Sequence, residues 1–272
     1  MTVVVKVGGA RAVDPAGTLA DVADLDRGVL VHGGSTAVDD TLERMGIEPE
    51  YVETPGGVVG RFTDAETMDV FTMVMAGKLN TELVAGLREQ GADALGLSGV
   101  DGGLLTGPRK SAVRVLEDGK KKIRRGDHSG KITDVNADLL EGLLADGYTP
   151  VTGPPMLADD GTPVNADADR AAAAVAGALS ATLVVLTDVE GVRRDPEDPE
   201  TLIDSVETPA DLEAVREAAE GFMTKKVMAA VEALEGGAAA VVVADANADS
   251  PVEAALAGGG TRFEPSALED ER

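Results

Sequence analysis

Two glycine pairs follow the first two β-branched runs of this 272-residue chain, Lys6-Val7-Gly8-Gly9 and His32-Gly33-Gly34-Ser35. Glycines at the carboxyl end of a parallel strand let backbone N–H groups approach an anion, and the start of the next helix favours negative charge there. Either pair alone reads equally as a tight turn; the two together, one behind a lysine, point to an anion site. Farther on, Asn165-Ala-Asp167-Ala-Asp169-Arg170 sets three amide or carboxylate side chains ahead of an Ala-rich helix, more than one helix cap requires. Gly221-Phe-Met-Thr-Lys225-Lys226 opens another helix with adjacent lysines that oppose its dipole, a local cost that suggests a phosphate partner. A Walker loop is excluded. Gly126-Asp-His-Ser-Gly-Lys-Ile has the wrong length and no Ser or Thr after its lysine, and no spaced Gly-x-Gly-x-x-Gly follows the first strand.

The composition removes other chemistries. Cysteine is absent, which excludes disulfides, thiolate metal sites and a Cys nucleophile, and two histidines, His32 and His128, cannot build a multi-His zinc centre. The opening MTVVVKVGG is no secretory signal, and the longest apolar runs, such as 238–244, fall short of the ~20 residues a bilayer crossing needs. The expectation is a soluble cytoplasmic protein.

Charge carries more information. With 49 acidic against 24 basic residues the net charge is −25, so a plain nucleic-acid binder is excluded by like-charge repulsion. So acidic a chain with nine lysines has the composition of a protein working in molar salt, where a Debye length of ~3 Å screens self-repulsion. Five of those lysines, with Arg109, Arg114, Arg124 and Arg125, fall between residues 109 and 131, giving that stretch +6 against −31 for the remainder.

These groups need positioning elements. With 43% apolar but only 2% aromatic residues, the core must be built from Val, Leu, Ala and Met. Strand-like runs at 3–7, 29–31, 149–152, 183–187 and 240–243 alternate with amphipathic stretches at 64–87, 137–144, 171–179 and 225–234. That pattern predicts an α/β fold, a mainly parallel sheet covered on both faces. The exception is 104–132, which reads as a β-hairpin around Glu117-Asp118-Gly119. The Gly/Pro/Asp-rich segment after Thr152 marks a lobe boundary: 1–165, then 166–265, with an acidic tail at 266–272.

Several motifs in order carry a resemblance. Lys6-x-Gly8-Gly9, His32-Gly33-Gly34, Gly60-Arg61-Phe-Thr-Asp64-Ala-Glu66-Thr-Met68, Leu97-Ser98-Gly99-x-Asp101-Gly102, Asn165-x-x-Ala168-Asp169, Leu186-Thr187-Asp188-Val-x-Gly191-Val and Gly221-x-Met-x-x-Lys226-Val together resemble the amino-acid kinase family, nearest its N-acetylglutamate kinase branch. Within that branch Val100 replaces a usual lysine. The run Gly-x-Arg109-Lys110-x-Ala, with Arg125-Gly126-Asp127-His128-Ser129-Gly130 downstream, is similar to kinases that act on glutamate or α-aminoadipate carried by a small acidic protein (LysW-type). The positive island suits such a partner by charge.

The resemblance implies a three-layer αβα sandwich of the carbamate kinase-like type, with an N-terminal substrate and dimerisation lobe and a C-terminal ATP lobe. It implies phosphoryl transfer from ATP, accompanied by Mg²⁺, to a side-chain carboxylate, in arginine or lysine biosynthesis. In that scheme Lys6 and Lys226 contact the transferred group, Asp169 orients both, and Gly8, Gly9, Gly33 and Gly34 supply backbone donors. Arg61 takes the substrate's α-carboxylate and Asn165 its α-amide, Thr187, Asp188 and Gly191 line the nucleotide pocket, and no protein metal ligand is implied. Arg109, Lys110, Lys120, Lys121, Lys122, Arg124 and Arg125 become the carrier dock, the rival being an acidic face of a second subunit. Lys78 reads as a solubilising helix residue, and His128 as a carrier contact or a loop residue. The chain opens at its first strand, without the N-terminal helix of arginine-inhibited hexamers, so a homodimer without that feedback is expected. The alternatives are a kinase of free N-acetylglutamate and a non-catalytic nucleotide sensor of the same fold.

Overall fold

The computed structural model describes residues 1–8, 15–57, 59–117, 120–195, 198–219 and 221–269. Strand β1 (Val3–Val7) leads through α1 (Pro15–Ala23) to β2 (Gly28–His32) and α2 (Ser35–Arg44). A short hairpin of β3 (Tyr51–Glu53) and β4 (Val59–Arg61) precedes α3 (Ala65–Thr72), which runs through a π-helical stretch (Met73–Leu79) into α4 (Asn80–Glu89). Next come β5 (Ala94–Gly96), β6 (Leu105–Gly107), the hairpin β7 (Arg109–Glu117) and β8 (Lys120–Gly130), β9 (Asp134–Val135), α5 (Ala137–Ala145) and β10 (Thr149–Thr152). Strands β11 (Met156–Ala158) and β12 (Pro163–Val164) lead to α6 (Ala168–Ala178) and β13 (Thr182–Thr187). The chain closes with β14 (Ser205–Val206), α7 (Pro209–Ala218), α8 (Phe222–Glu235), β15 (Ala240–Asp245), α9 (Pro251–Leu256) and β16 (Thr261–Phe263).

One eight-stranded sheet, β14-β16-β15-β13-β1-β2-β10-β5, runs through the molecule and is parallel except for the β15–β16 pair. The earlier and later halves of the chain join where β1 pairs with β13. A smaller sheet, β12-β11-β6-β9, lies outside it. The central strands are buried on both faces, which is why they read as unbroken apolar runs. Val3, Val5 and Val7 pack with Leu19 of α1, Leu87 of α4 and Val252 of α9, while Val4 packs on the opposite layer with α5, α6 and α8. This is the αβα sandwich the sequence predicts.

The shortage of aromatics is met by close approach. Ala171, Ala172, Ala173 and Ala176 of α6 are buried, and a Cβ on Gly177 would meet the Gly236 carbonyl beyond α8 at 2.8 Å. Small side chains bring these helices together where large ones would hold them apart.

Two expectations gain detail. The helix over 64–87 is continuous, capped by the Asp64 carboxylate accepting from Thr67 N–H at 2.8 Å, yet its middle is π-helical. The hairpin occupies 109–130 of the 104–132 expected, with Glu117 opposite Lys120, because Leu105–Gly107 pairs into the smaller sheet instead; its turn residues Asp118 and Gly119 lie outside the described residues. Among the described residues no helix is long and apolar enough to cross a membrane.

Candidate active site

A cleft of about 1510 Å³ opens beyond the carboxyl ends of β1, β2, β10 and β13, lined there by Lys6, Gly33, Gly34, Pro154, Thr187 and Asp188. Strand carboxyl ends are where open α/β sheets bind ligands.

Side-chain alternation sends Lys6 to the same layer as Val4, toward α6. There its Nζ lies 2.5 Å from Asp169 Oδ1, and Lys226 Nζ lies 3.9 Å from Asp169 Oδ2. The three side chains are 7%, 14% and 13% exposed, so one carboxylate holds two ammonium groups in a largely dehydrated pocket. Burial pushes the Asp169 carboxyl up, but Lys6 and then Lys226 outweigh it and hold it below the usual carboxylate range. Burial, reinforced by Lys6, pushes the Lys226 ammonium down against the pull of Asp169, Asp188 and Asp167. Two positive groups at the base of an open cleft can neutralise charge on a transferring phosphoryl group and its leaving group.

The three polar residues before α6 do three different things. Asp167 is the helix cap, accepting from the N–H groups of Asp169 at 2.9 Å and Arg170 at 3.1 Å. Asp169 thereby reaches the lysines, and Asn165 donates to Thr63 Oγ1 at 3.0 Å across the cleft wall. Gly33 and Gly34 form the turn into α2, with Gly33 N–H bonded to Val7 O at 3.0 Å. A Cβ on Gly34 would come within 2.2 Å of Leu79 Cδ1 and 2.7 Å of Met75 Sδ, so the glycine lets these two side chains of the π-helical stretch lie close against the turn. Burial lowers the affinity of His32 for a proton, partly countered by its bond to the Gly33 carbonyl.

At the other end of the cleft Arg61 is already engaged. Its guanidinium pairs with Asp39 and donates to Ser35 O at 3.0 Å, Ser35 Oγ at 2.7 Å and Tyr51 Oη at 3.0 Å. Tyr51 stacks beneath it and donates to Asp39 at 2.8 Å. Asp39 and Tyr51 carry no motif of their own and were not legible as site residues, while Ser35 closes the second glycine motif without a role assigned to it there. Lys225, the neighbour of Lys226 in the lysine pair, donates to Val59 O at 2.9 Å and so ties α8 to β4 over the cleft.

The remaining expected residues divide. Gly8, Asn165, Thr187 and Asp188 line the same cleft as the lysines, and Gly9 lies outside the described residues. Gly191 does not line it: a Cβ there would meet Thr261 Oγ1 at 2.6 Å and Leu202 at 2.9 Å, so its place is a packing one. Of the basic set, Lys110 lines the cleft, while Lys120, Lys121, Lys122 and Arg125 are exposed along β8. Arg124 instead stacks on Phe62 at 4.1 Å and pairs with both carboxylate oxygens of Glu50, anchoring the hairpin to the β3–β4 segment. Arg109 faces Asp160 at 4.0 Å. Lys78 pairs with Glu82 on the exposed face of its helix, 3.0 Å away, and His128 folds its Nδ1 toward the Gly126 carbonyl at 3.1 Å.

No group of three or more His, Cys, Asp or Glu placed to hold a metal occurs among the described residues. Asp169, the most buried carboxylate of the cleft, is committed to lysines.

Residues 1–245 match the model of the amino acid kinase family. A LysW-aminoadipate kinase from Deinococcus radiodurans is 45% identical over 265 residues, covering 95% of this chain and 90% of that one. An acetylglutamate kinase from Methanopyrus kandleri is 46% identical over 261 residues, covering 95% and 98%. Among solved structures, N-acetylglutamate synthase from Neisseria gonorrhoeae, complexed with coenzyme A and N-acetyl-glutamate, aligns with all of this chain at a TM-score of 0.76 and 24% identity. This chain spans 60% of that protein's length, and the likeness is one of fold alone. On the family match and on relatives this similar over nearly their whole length, the chain belongs to the amino acid kinase family.

Proposed function

We propose that this chain transfers the γ-phosphoryl group of ATP to the side-chain carboxylate of glutamate or α-aminoadipate held through its α-amine by a small acidic carrier protein. A carboxylate oxygen attacks the γ-phosphorus, the bond to the bridging oxygen breaks, and an acyl phosphate and ADP result. The nucleophile is already anionic and needs no base, so the barrier is repulsion between negative groups. Lys6 and Lys226 meet that charge from opposite sides, and Asp169 fixes them without approaching the phosphate. Gly8 and Gly34 supply N–H donors while Gly33, whose N–H is bonded to Val7 O, shapes the turn; Arg61 and Asn165 receive the amino-acid end, and Thr187 and Asp188 face the nucleotide. Among the described residues no cluster of three carboxylates or histidines offers a metal cage, and Mg²⁺ would enter with ATP, held by phosphate oxygens and water, a mode usual for this ion.

The observation that carries the carrier reading is the placement of the basic hairpin. Its base, Lys110 with Ser129 to Lys131, lines the cleft, and its outer length presents Lys120, Lys121, Lys122 and Arg125 to solvent on a strongly acidic molecule. An acidic carrier seated there lies beside the opening its cargo must enter. Relatives named LysW-aminoadipate or LysW-glutamate kinase, 35–45% identical, support the same substrate class. The Methanopyrus relative favours a second reading, a kinase of free N-acetylglutamate. Retention of Lys6, Asp169 and Lys226 as one cluster argues against a non-catalytic sensor.

Around this core we infer an N-terminal substrate lobe to residue 165 and a C-terminal ATP lobe beyond it, a homodimer, a place in arginine or lysine biosynthesis, and a salt-rich cytoplasm. The deciding assay measures ADP release in high KCl with carrier-linked glutamate, carrier-linked aminoadipate and free N-acetylglutamate. Turnover of a carrier-linked substrate is expected; turnover of the free compound alone overturns the reading, and light scattering tests the dimer.

A further inference from the structure

Behind the glycine turn lies a buried polar pair that phosphoryl transfer as described does not use. Asn80 is 6% exposed and His32 2%. Asn80 Nδ2 lies 3.3 Å from His32 Nε2, 3.3 Å from Leu97 O and 3.0 Å from Val151 O, so one side-chain amide ties together the carboxyl ends of β2, β5 and β10. Two glycines make room for the pair. A Cβ on Gly96 would stand 2.0 Å from Asn80 Oδ1, and one on Gly153 would stand 2.6 Å from His32 O and 3.2 Å from its Nε2.

An amide nitrogen only donates, so His32 Nε2 accepts and the ring proton belongs on Nδ1. Nδ1 lies 3.2 Å from Gly33 O. The Gly33 carbonyl shares a rigid trans peptide with the Gly34 N–H, so holding one aims the other in the opposite direction. Gly33 N–H is held in turn by Val7 O, next to Lys6. The Gly34 N–H makes no hydrogen bond among the described residues, and Gly34 lines the cleft. The π-helical stretch puts Asn80 within reach. Each residue advances an α-helix by about 100°, so wider turns upstream rotate the face that α4 presents to the strand ends.

We propose that Asn80 is a positioning residue for phosphoryl transfer: acting through His32, it holds the Gly33–Gly34 peptide so that the Gly34 N–H donates to the phosphoryl oxygens in the transition state. This rests on the phosphoryl-transfer reading above, and its first readout needs no turnover. The imidazole ¹⁵N spectrum, assigned with His128→Asn, is expected to show His32 as the Nδ1–H tautomer; an Nε2–H tautomer overturns the proposal. In the ADP-release assay with the substrate the wild type turns over, Asn80→Ala and His32→Gln should each lower kcat by about tenfold or more while both KM values move less than about threefold, the signature of a contact made in the transition state. His32→Asn, whose amide can stand in for Nδ1–H, should recover most of that loss. A kcat within about twofold of wild type in folded Asn80→Ala and His32→Gln, or a His32→Asn enzyme as impaired as His32→Gln, overturns the proposal. Should Asn80→Ala not fold by circular dichroism, Asn80→Ser takes its place under the same criteria. A wild type that releases no ADP with any of the three substrates defeats the kinase reading instead, and the tautomer still decides the His32 geometry.

Discussion

Lys6 of β1 and Asp169 of α6 meet at 2.5 Å at the base of the cleft, and Lys226 reaches the second oxygen of the same carboxylate from α8. No pair among the three is adjacent in sequence. Their meeting depends on β1 lying beside β13 and on α6 and α8 packing through alanines and glycines.

Asp169→Asn follows from this arrangement. The amide keeps the shape but removes the charge that holds two ammonium groups together in a dehydrated pocket. Both lysines then repel each other and lose alignment, so kcat should fall by about 10²–10³-fold, the range for losing one preorganised electrostatic contact. The folded state should also lose stability, because buried cations are left unpaired. ADP release and a thermal melt of the same preparation check both parts.

Lys226 gives a pH dependence. Its ammonium is held below the ordinary lysine value by burial, so on raising the pH it loses its proton earlier than an exposed lysine. kcat/KM should therefore fall on the alkaline side at a pH below the usual lysine range, and Lys226→Arg should move that limb upward. Stability runs the other way. Between the folded and unfolded values the unfolded chain binds more protons, so the Lys226 contribution to stability rises with pH while activity falls. Asp169 sets the acid side: its stabilisation is complete above the unfolded carboxylate value and is lost as pH falls through its lowered folded value.

How much of this was legible in the sequence follows from the kind of signal each part leaves. The buried parallel strands and the glycine pairs were readable because backbone needs specify residue type. Lys6, Asp169 and Lys226 stood out through cost or excess: a lysine beside a glycine pair, more carboxylates than a cap uses, lysines against a helix dipole. Asp39, Tyr51 and Asn80 left no such trace, because an exposed-looking Asp, Tyr or Asn acquires its role only from partners far along the chain, such as Arg61 or His32. Strands β3, β5, β14 and β16 have two or three residues each, too few to show alternation. Gly191 shows the limit of a glycine signal, since a glycine packed against Thr261 looks the same in sequence as one admitting a nucleotide.

Arg61 should separate the two substrates. Its guanidinium is held in one orientation by Asp39, Ser35 and Tyr51, where the proposed function puts the amino-acid end of the substrate. Arg61→Lys keeps the charge but loses the planar fork, so KM for the amino-acyl substrate should rise by about tenfold or more. KM for ATP, assigned in the same proposal to Thr187 and Asp188, should change less than about twofold. Equal effects on both would remove Arg61 from the substrate end.

The basic hairpin supplies the last prediction, in which salt matters. Exchanging Lys120, Lys121 and Lys122 for Glu changes the island by six charges on an exposed strand while leaving Arg124 stacked on Phe62 and paired with Glu50. The fold should survive, and ADP release with free N-acetylglutamate, where it is measurable, should be unaffected. KM for the carrier-linked substrate should rise by about tenfold or more, since like charges then face each other across the dock. The Debye length shrinks from about 10 Å at 0.1 M salt to about 3 Å at 1 M, so the defect should narrow with added KCl but persist where ion pairs are in contact. Over the same titration the wild-type melting temperature should climb, as screening relieves the repulsion of a chain with net charge −25. An unchanged KM at every salt concentration would leave the hairpin without a role in carrier docking. A loss of the dimer in the charge-reversed protein, with KM unmoved, would assign the island to subunit contact instead.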